Sequence, residues 1–415
     1  MSSPVNLRHV APAGAPIHLT DLVRWAAAAL TPGDASAALT QAVCDRLSVP
    51  HAFPVSTGRA GMTLLLRAMR RLAPASRSEV VLPAYTCYSV AASAIKAGLT
   101  PRIVDIAPDT LDYERSELEA VDFSRVLGIV ATNLYGLPND LAYLTTLARS
   151  SGVFLIDDAA QAMGAAFNGR ASGSWGDAGL ISFDKGKNVS AIDGGVVVTS
   201  SGDLAAAIER EVRALPAQGI REAGMLTAKA LAYFVFLRPW LYWIPQRVPQ
   251  LGLGQTVFST EFPVARPTRP QVTLAVTMLR RLDAFTRVRI ARATELLDGV
   301  RALRAAAPIE PIPGSSPAYL RLPLLAASEE TRRILLQRLN AAGIGATGSY
   351  PRSLAEIPEI GPAPGARRVV AGIDVARRIL TLPTHPFVGS GDVARTLAVM
   401  AGTRSPGALG EVPAT

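Results

Sequence analysis

Between residues 55 and 200 the hydrophobic pattern of the chain changes period repeatedly. Helical stretches at 59–72, 86–97 and 139–151 are interleaved with short β-rich runs at 80–82, 126–131, 153–157, 179–183 and 195–199. Strands that alternate with helices need crossover connections, and these put helices on both faces of a mostly parallel sheet. The expected fold class is therefore α/β, with a three-layer large domain. In such sheets ligands bind beyond the carboxyl ends of the strands. Asp158 follows one expected strand and Lys187 another, so both fall where a ligand would sit.

At 415 residues the chain is too long for one ordinary core, and two domains are expected. The reading divides it into an N-terminal segment (1–35), a large domain (36–305), a smaller α+β domain (306–405) and a Gly/Pro/Ala-rich tail (406–415) expected to be disordered. A long helix is expected over 271–305 and a linker over 308–317. A strand at 319–324, a helix at 329–342, a proline-rich loop at 350–364, a strand at 379–383 and a helix at 390–401 follow.

Residues 226–257 form an apolar, aromatic insert. Its 226–244 part approaches the roughly 20 apolar residues that span a bilayer. Lys229, Arg238 and Pro239 interrupt it, and Trp240, Tyr242 and Trp243 suit an interface better than a bilayer centre. The expectation is a helical hairpin that is buried or at a subunit interface. Peripheral membrane contact through 226–245 is the alternative. The first residues hold no apolar signal core flanked by basic residues, which leads to the expectation of a cytoplasmic protein.

The net charge is +9, which favours anionic partners such as phosphorylated ligands. The arginines are scattered and form no dense run, so no nucleic-acid partner is expected. Cys44 and Cys87 are the only cysteines, and the four histidines are dispersed. Neither a disulfide framework nor a metal site is expected. Of 42 basic residues only Lys96, Lys185, Lys187 and Lys229 are lysine. A chain that uses arginine for ordinary positive charge invites the question of what arginine could not do. A lysine can lose its proton and attack a carbonyl; arginine does not.

Four segments bear on that question. Ser56-Thr57-Gly58-Arg59-Ala60-Gly61 opens a helix, where free N–H groups suit phosphate. Glycine before a helix is also a common structural feature. Ile156-Asp157-Asp158-Ala159-Ala160-Gln161 ends a strand in a carboxylate that suits a protonated pyridine nitrogen. A helix-capping aspartate accounts for it equally simply. Ser182-Phe183-x-x-x-Lys187-Asn188 sets a hydroxyl five residues before an amine. Gly194-Gly195 precedes a strand as a turn or a place of close backbone approach. Together these parts describe a pyridoxal phosphate site: an amine for the aldehyde, an acid for the ring nitrogen and a phosphate cup.

On these motifs the stretch 54–200 resembles the DegT/DnrJ/EryC1/StrS sugar aminotransferases, of the aspartate-aminotransferase (fold type I) superfamily. Leu380-Thr-Leu-Pro-Thr-His-Pro386 is similar to that family's closing Leu-Pro-x-His-Pro. The resemblance implies a fold type I large domain with pyridoxal phosphate as cofactor. It implies Lys187 as the Schiff-base lysine and proton carrier, and Asp158 as partner of the ring nitrogen. Gln161 would lie near the ring and its hydroxyl, and Ser182, Gly58, Arg59 and Ala60 around the phosphate, with Asn188 beside the lysine. Tyr135, in a Tyr-Gly turn, would lie near substrate. Lys185 reads as a loop or phosphate-side charge.

The chain also departs from the family pattern. Where the family has Phe or Trp stacked on the ring it has Cys87 and then Tyr88, so Tyr88 supplies the ring face or the stack is weaker. Arg266 fits the arginine of the family's Asn-Tyr-Arg, while Val264 falls where its asparagine reaches the neighbouring subunit. The resemblance implies a homodimer that moves an amino group from glutamate or glutamine to a nucleotide-linked keto-sugar by a ping-pong mechanism. A non-sugar or lipid-linked ketone as acceptor, or a degenerate membrane-docked member, are the alternatives.

Overall fold

The computed structural model describes residues 8–248, 257–361 and 367–403. The large domain is built on seven strands: β1 (His51–Val55), β2 (Glu79–Pro83), β3 (Thr100–Val104), β4 (Val126–Thr132), β5 (Phe154–Asp158), β6 (Ala178–Ser182) and β7 (Gly195–Thr199). Their order across the sheet is β1-β7-β6-β5-β4-β2-β3. Pairing is parallel from β3 through β6, and β7 pairs antiparallel with both β6 and β1. Only β7 is reversed, so the other strands deliver their carboxyl ends to one edge.

Strands β2, β4, β6 and β7 are buried along their whole length. That is why they read as unbroken apolar runs. Successive side chains still serve opposite faces. Leu180 and Val197 pack in the same core as Leu64 of helix α3 (Gly58–Leu72), while Ile181, Val196 and Val198 pack with Val272 and Met278. The two strands absent from the sequence reading, β1 and β3, are the sheet's edges. Each carries a proline, Pro54 and Pro101, which is tolerated at an edge and weakens the strand signal.

The expected long helix over 271–305 is two helices, here α8 (Arg269–Leu279) and α9 (Leu282–Val300). No glycine or proline marks the break. Arg281 at the break instead bonds both carboxylate oxygens of buried Asp21, at 3.0 and 3.2 Å. Asp21 lies on helix α1 (Leu19–Leu30), so a tertiary ion pair sits at the break.

The C-terminal domain is an antiparallel sheet of β8 (Ala306–Pro308), β9 (Arg321–Ala326) and β10 (Ile379–Pro383). Helices Glu329–Ala341 and Ser390–Ala401 share its core with the end of α9. A helix at Ala371–Arg378 was not expected from sequence. The expected tail 406–415 lies outside the described residues.

His385 of the closing motif is fully buried. Its Nε2 donates to the Ala11 carbonyl at 2.8 Å, and its Nδ1 accepts the Phe387 N–H at 3.3 Å. Burial pushes the ring's pKa down to about 3, so it stays neutral in the fold. Its unfolded counterpart takes up a proton near pH 6.5, so its contribution to stability is lost as pH falls below that value. Between pH 6.5 and 5 this residue alone is expected to remove about 2 kcal/mol of unfolding free energy. Urea titrations of wild type and His385→Gln at both pH values test this, because the variant lacks that part of the slope.

The apolar insert begins as helix α7 (Ile220–Phe236), followed by a turn and a single helical turn at Trp243–Gln246. Within α7 only Leu226 and Ala230 are buried; Ile220, Met225, Leu231 and Val235 are exposed, as is Trp240 beyond the helix end. The expected hairpin is thus seated by one narrow stripe and is not buried within the chain. Among the described residues no helix is long and apolar enough to cross a membrane.

Candidate active site

Strand β1 leads through Ser56 and Thr57 into α3. Thr57 caps the helix, its side-chain oxygen accepting the Ala60 N–H at 2.9 Å. The N–H groups of Gly58 and Arg59, in the first turn, have no partner inside the helix. Ser182, ending β6, closes the other side: a Cβ on Gly58 would lie 3.1 Å from its Oγ. A Cβ on Gly195 would lie 2.8 Å from the Thr57 carbonyl. Gly195 is thus required by close backbone approach at this cup, and Gly194 by its positive φ of 138°. Ala60 is buried and contributes backbone only; Arg59 lies with its guanidinium 4.9 Å from the Phe262 ring centre.

A cavity of about 360 Å³ opens from this cup along the carboxyl edge of the sheet. Gly58, Arg59, Tyr88, Asp158, Gln161, Ser182 and Lys187 line it. Lys185 is exposed and stands outside the lining. Asp158 Oδ1 accepts the Ala160 N–H at 3.0 Å, so it also caps the turn that follows. Burial raises the Asp158 carboxyl above its usual range, while the Ala160 N–H and the Lys187 charge pull it down. Its neighbour Asp157 points into the structure and holds Asn133 Nδ2 at 2.7 Å and the N–H groups of Gly173 and Trp175 at 2.5 and 3.1 Å. Burial pushes Asp157 up to about 7 against those three donors.

Gln161 is fixed at both ends of its amide. Oε1 accepts the Tyr135 N–H at 3.1 Å and Nε2 donates to the Tyr350 hydroxyl at 2.9 Å. Tyr135 is not on the cavity wall. It is 1 % exposed, in a left-handed conformation (φ 58°), with its hydroxyl 3.2 Å from that of Tyr85. The expected substrate contact is therefore replaced by support of Gln161 from behind. Tyr88 lines the cavity, and its hydroxyl is tied to Arg352 by donating to the carbonyl (3.1 Å) and accepting the N–H (2.8 Å). Cys87 lines the same wall, with Sγ 3.0 Å from Ser89 Oγ.

Sequence reasoning missed the brace beneath the lysine turn. The Tyr233 hydroxyl, from α7, donates to the Lys185 carbonyl and accepts the Ala15 N–H, both at 2.9 Å. Arg289, fully buried, donates to the carbonyls of Gly14 (2.7 Å), Leu320 (3.2 Å) and Asn188 (3.4 Å). Burial lowers its pKa to about 10, so it remains a cation resting on carbonyl oxygens. Asn188 sits off the cavity wall, with neither end of its buried amide hydrogen-bonded. No local pattern announces these contacts, because Tyr233 and Arg289 reach the turn from distant helices.

Removing the Tyr233 hydroxyl strands a carbonyl and an N–H. Tyr233→Phe is expected to lose about 1–3 kcal/mol of stability. It should also raise amide exchange around residues 185–188 more than elsewhere. Urea unfolding and hydrogen exchange read the two effects, and uniform exchange would refute the brace.

The residues fit pyridoxal phosphate. The cup offers N–H groups, hydroxyls and a guanidinium to a phosphate. Thr86 and Thr132 place buried, unpartnered hydroxyls on the same wall. A primary amine, Lys187, and a carboxylate, Asp158, line the same cavity. Asn133, Asp184, Asp193 and Ser259 also line it without having been expected, Asp193 standing directly before the Gly-Gly pair. Val257, the end of the apolar insert, reaches the wall as well. Among the described residues no group of side chains could hold a metal ion.

Such a sheet, with its lysine and aspartate at the carboxyl edge, defines the pyridoxal phosphate transferases of fold type I. Within them, the chain belongs to the DegT/DnrJ/EryC1/StrS aminotransferase family, whose pattern matches residues 19–401. Over 188 residues it is 35% identical to UDP-N-acetyl-3-dehydro-alpha-D-glucosamine 3-aminotransferase of Acidithiobacillus ferrooxidans, covering 45% of this chain and 49% of that protein. Over 180 residues it is 34% identical to GDP-perosamine synthase of Caulobacter vibrioides, covering 43% and 47%. These matches span about half the length of the curated relatives. In fold it is similar to Helicobacter pylori PseC, an aminotransferase of pseudoaminic acid biosynthesis (TM-score 0.78, 16% identity, 95% and 99% coverage). It is also similar to DesI with its TDP-sugar product (TM-score 0.76, 22% identity, 96% and 94% coverage). At those identities the likeness concerns the fold alone.

Proposed function

We propose that the chain is a pyridoxal phosphate-dependent aminotransferase that moves an amino group from an α-amino acid to a nucleotide-linked keto-sugar. The observation that carries this is Lys187 and Asp158 on the wall of one cavity whose end is the α3 cup. Bound pyridoxal phosphate supplies an aldehyde for a primary amine and a ring that takes up electrons from the carbon bearing that amine.

The protein's own residues supply the rest. Gly58, Arg59 and Ser182 bind the phosphate and fix the ring's position. Asp158 holds a proton at the ring nitrogen with its negative charge. Gln161, immobilised by Tyr135 and Tyr350, orients the ring's polar edge. Lys187 would carry the cofactor between turnovers, and its Nζ would take the α-proton of the donor and return it to the carbon on the other side of the amino nitrogen, two atoms away. The same groups then work in reverse on the keto acceptor. Names of family relatives that act on sugars support the acceptor class, as does the basic character of the chain.

The test is the visible spectrum of purified protein with L-glutamate or L-glutamine, followed by keto-acid analysis. The expected result is a lysine-bound cofactor band that disappears as 2-oxoglutarate or its amide forms. No band after incubation with pyridoxal phosphate would overturn the proposal. Exposed Val257 at the cavity wall favours a second reading, an apolar or lipid-linked keto-acceptor. Relative kcat/KM on nucleotide-linked and lipid-linked ketones decides between them. A homodimer belongs to the same proposal, supported by the exposed apolar residues of α1 and α7. Sedimentation equilibrium measures it, and a monomer at micromolar concentration would refute it.

A further inference from the structure

Arg59 stands in the first turn of α3, lines the cavity and is exposed. Among the described residues no hydrogen bond or ion pair engages its guanidinium. What holds it is a ring: the guanidinium carbon lies 4.9 Å from the centre of Phe262. The Lys96 ammonium lies 4.9 Å from the same centre. An aromatic face attracts a cation through its quadrupole, so one buried ring carries two cations. The charge of Arg59 also reaches Asp193, directly before Gly194 on the cavity wall.

Phe262 sits on a strap, residues 257–265, that is fixed at Thr260 and at Ala265. Lys96 Nζ donates to the Thr260 carbonyl at 3.0 Å. The Ser56 N–H donates to the Ala265 carbonyl at 3.1 Å, and the Ala265 N–H donates to Ser56 Oγ at 3.3 Å. Ser56 directly precedes the residue that caps α3. The strap is therefore tied to the cup on one side and to the end of helix Tyr88–Lys96 on the other. Val257 and Ser259 of the strap line the cavity. Ser93, from the same helix as Lys96, donates through Oγ to the Arg59 carbonyl at 3.2 Å. Lys96 is one of the chain's four lysines, and its compact ammonium makes the ring and carbonyl contacts together.

A guanidinium with its donors free on a cavity wall suits a phosphate. A long side chain gives up rotamer freedom when an anion fixes it. One already seated against a ring has less to give up.

We propose that Phe262 is a positioning residue for the cofactor phosphate: its ring, on a strap anchored by Lys96, holds the Arg59 guanidinium at the α3 cup. The inference rests on the pyridoxal phosphate reading. It adds a determinant of phosphate grip and makes the end of the apolar insert part of the cofactor site.

The test compares two ligands on the cofactor-free full-length chain, pyridoxal 5'-phosphate and pyridoxal. Both carry the aldehyde that Lys187 takes, and only one carries the phosphate. Phe262→Leu keeps apolar volume and removes the ring face. It should weaken pyridoxal 5'-phosphate roughly 3–30-fold and leave pyridoxal binding as in wild type. Phe262→Tyr, which keeps the face, should retain the wild-type preference. Arg59→Met alone should cost roughly 10–100-fold in pyridoxal 5'-phosphate affinity. Adding Phe262→Leu to Arg59→Met should then change little, because the ring acts through the guanidinium. If Phe262→Leu does not fold, Lys96→Met takes its place in the same cycle, with a loss of roughly 3–10-fold confined to the phosphorylated ligand. Equal weakening of both ligands, or the same loss with and without Arg59, would overturn the positioning role and leave the cofactor reading intact. A wild-type chain that binds neither ligand would overturn both.

Discussion

Lys187→Ala is expected to abolish turnover and the visible band of lysine-bound cofactor while the protein stays folded. Lys187 is half-buried in a turn and lines the cavity. Its truncation removes no described hydrogen bond, and stability should change by no more than about 0.5 kcal/mol. The loss of proton transfer alone sets a fall on the order of 10²–10⁴-fold in kcat, and loss of the covalent anchor deepens it. Lys185→Ala is the control. Lys185 contributes its carbonyl to Tyr233 and leaves its ammonium in solvent, so near wild-type spectrum and turnover are expected. Absorption spectroscopy of the two variants separates the lysines. A normal band in Lys187→Ala, or its absence in Lys185→Ala, would sink the assignment.

Asp158→Asn should separate two roles that coincide in one side chain. Asp158 caps a turn through Oδ1 and lines the cavity. Asparagine keeps an acceptor for the Ala160 N–H and removes the negative charge. The expected outcome is unchanged stability with kcat lowered on the order of 10²–10³-fold, the scale of one preorganised electrostatic contact in a dry site. Asp158→Ala should show the same catalytic loss plus about 1 kcal/mol of destabilisation from the missing cap. If Asp158→Asn turned over like wild type while Asp158→Ala lost only stability, the residue would be a cap and nothing more. Steady-state kinetics with urea unfolding on both variants gives the answer.

The two roles of Asp158 show how far residue patterns carry. A carboxylate at a strand's end supports a cap and a ring partner equally, and the structure shows the cap bond and the cavity position together. At Gly194-Gly195 the sequence offered a turn or a close approach, and the structure uses both: Gly194 has a positive φ of 138°, and Gly195 approaches the Thr57 carbonyl. Tyr135 went the other way: its motif placed it near the site, and its left-handed backbone leaves it behind the wall. The apolar insert is expected from sequence to be buried or at a subunit interface, with lipid contact as the alternative. Its Tyr233 instead reaches inward to the lysine turn, while much of its apolar surface stays outside.

Alternation of period, unbroken apolar strands and the order of the lysine, aspartate, serine and glycine motifs are properties of contiguous residues. From them alone came the α/β sheet, the edge at which a ligand binds and the cofactor. The edge strands escaped because Pro54 and Pro101 break their pattern. The split between α8 and α9 escaped because no glycine or proline marks it; the ion pair at the break is with Asp21, 260 residues away. The brace of Tyr233 and Arg289 likewise belongs to no local segment. Its hydrogen bonds exist only once helices, the N-terminal segment and the small domain pack around one turn. Free energy of that kind depends on which distant groups are buried together, and only tertiary structure decides it.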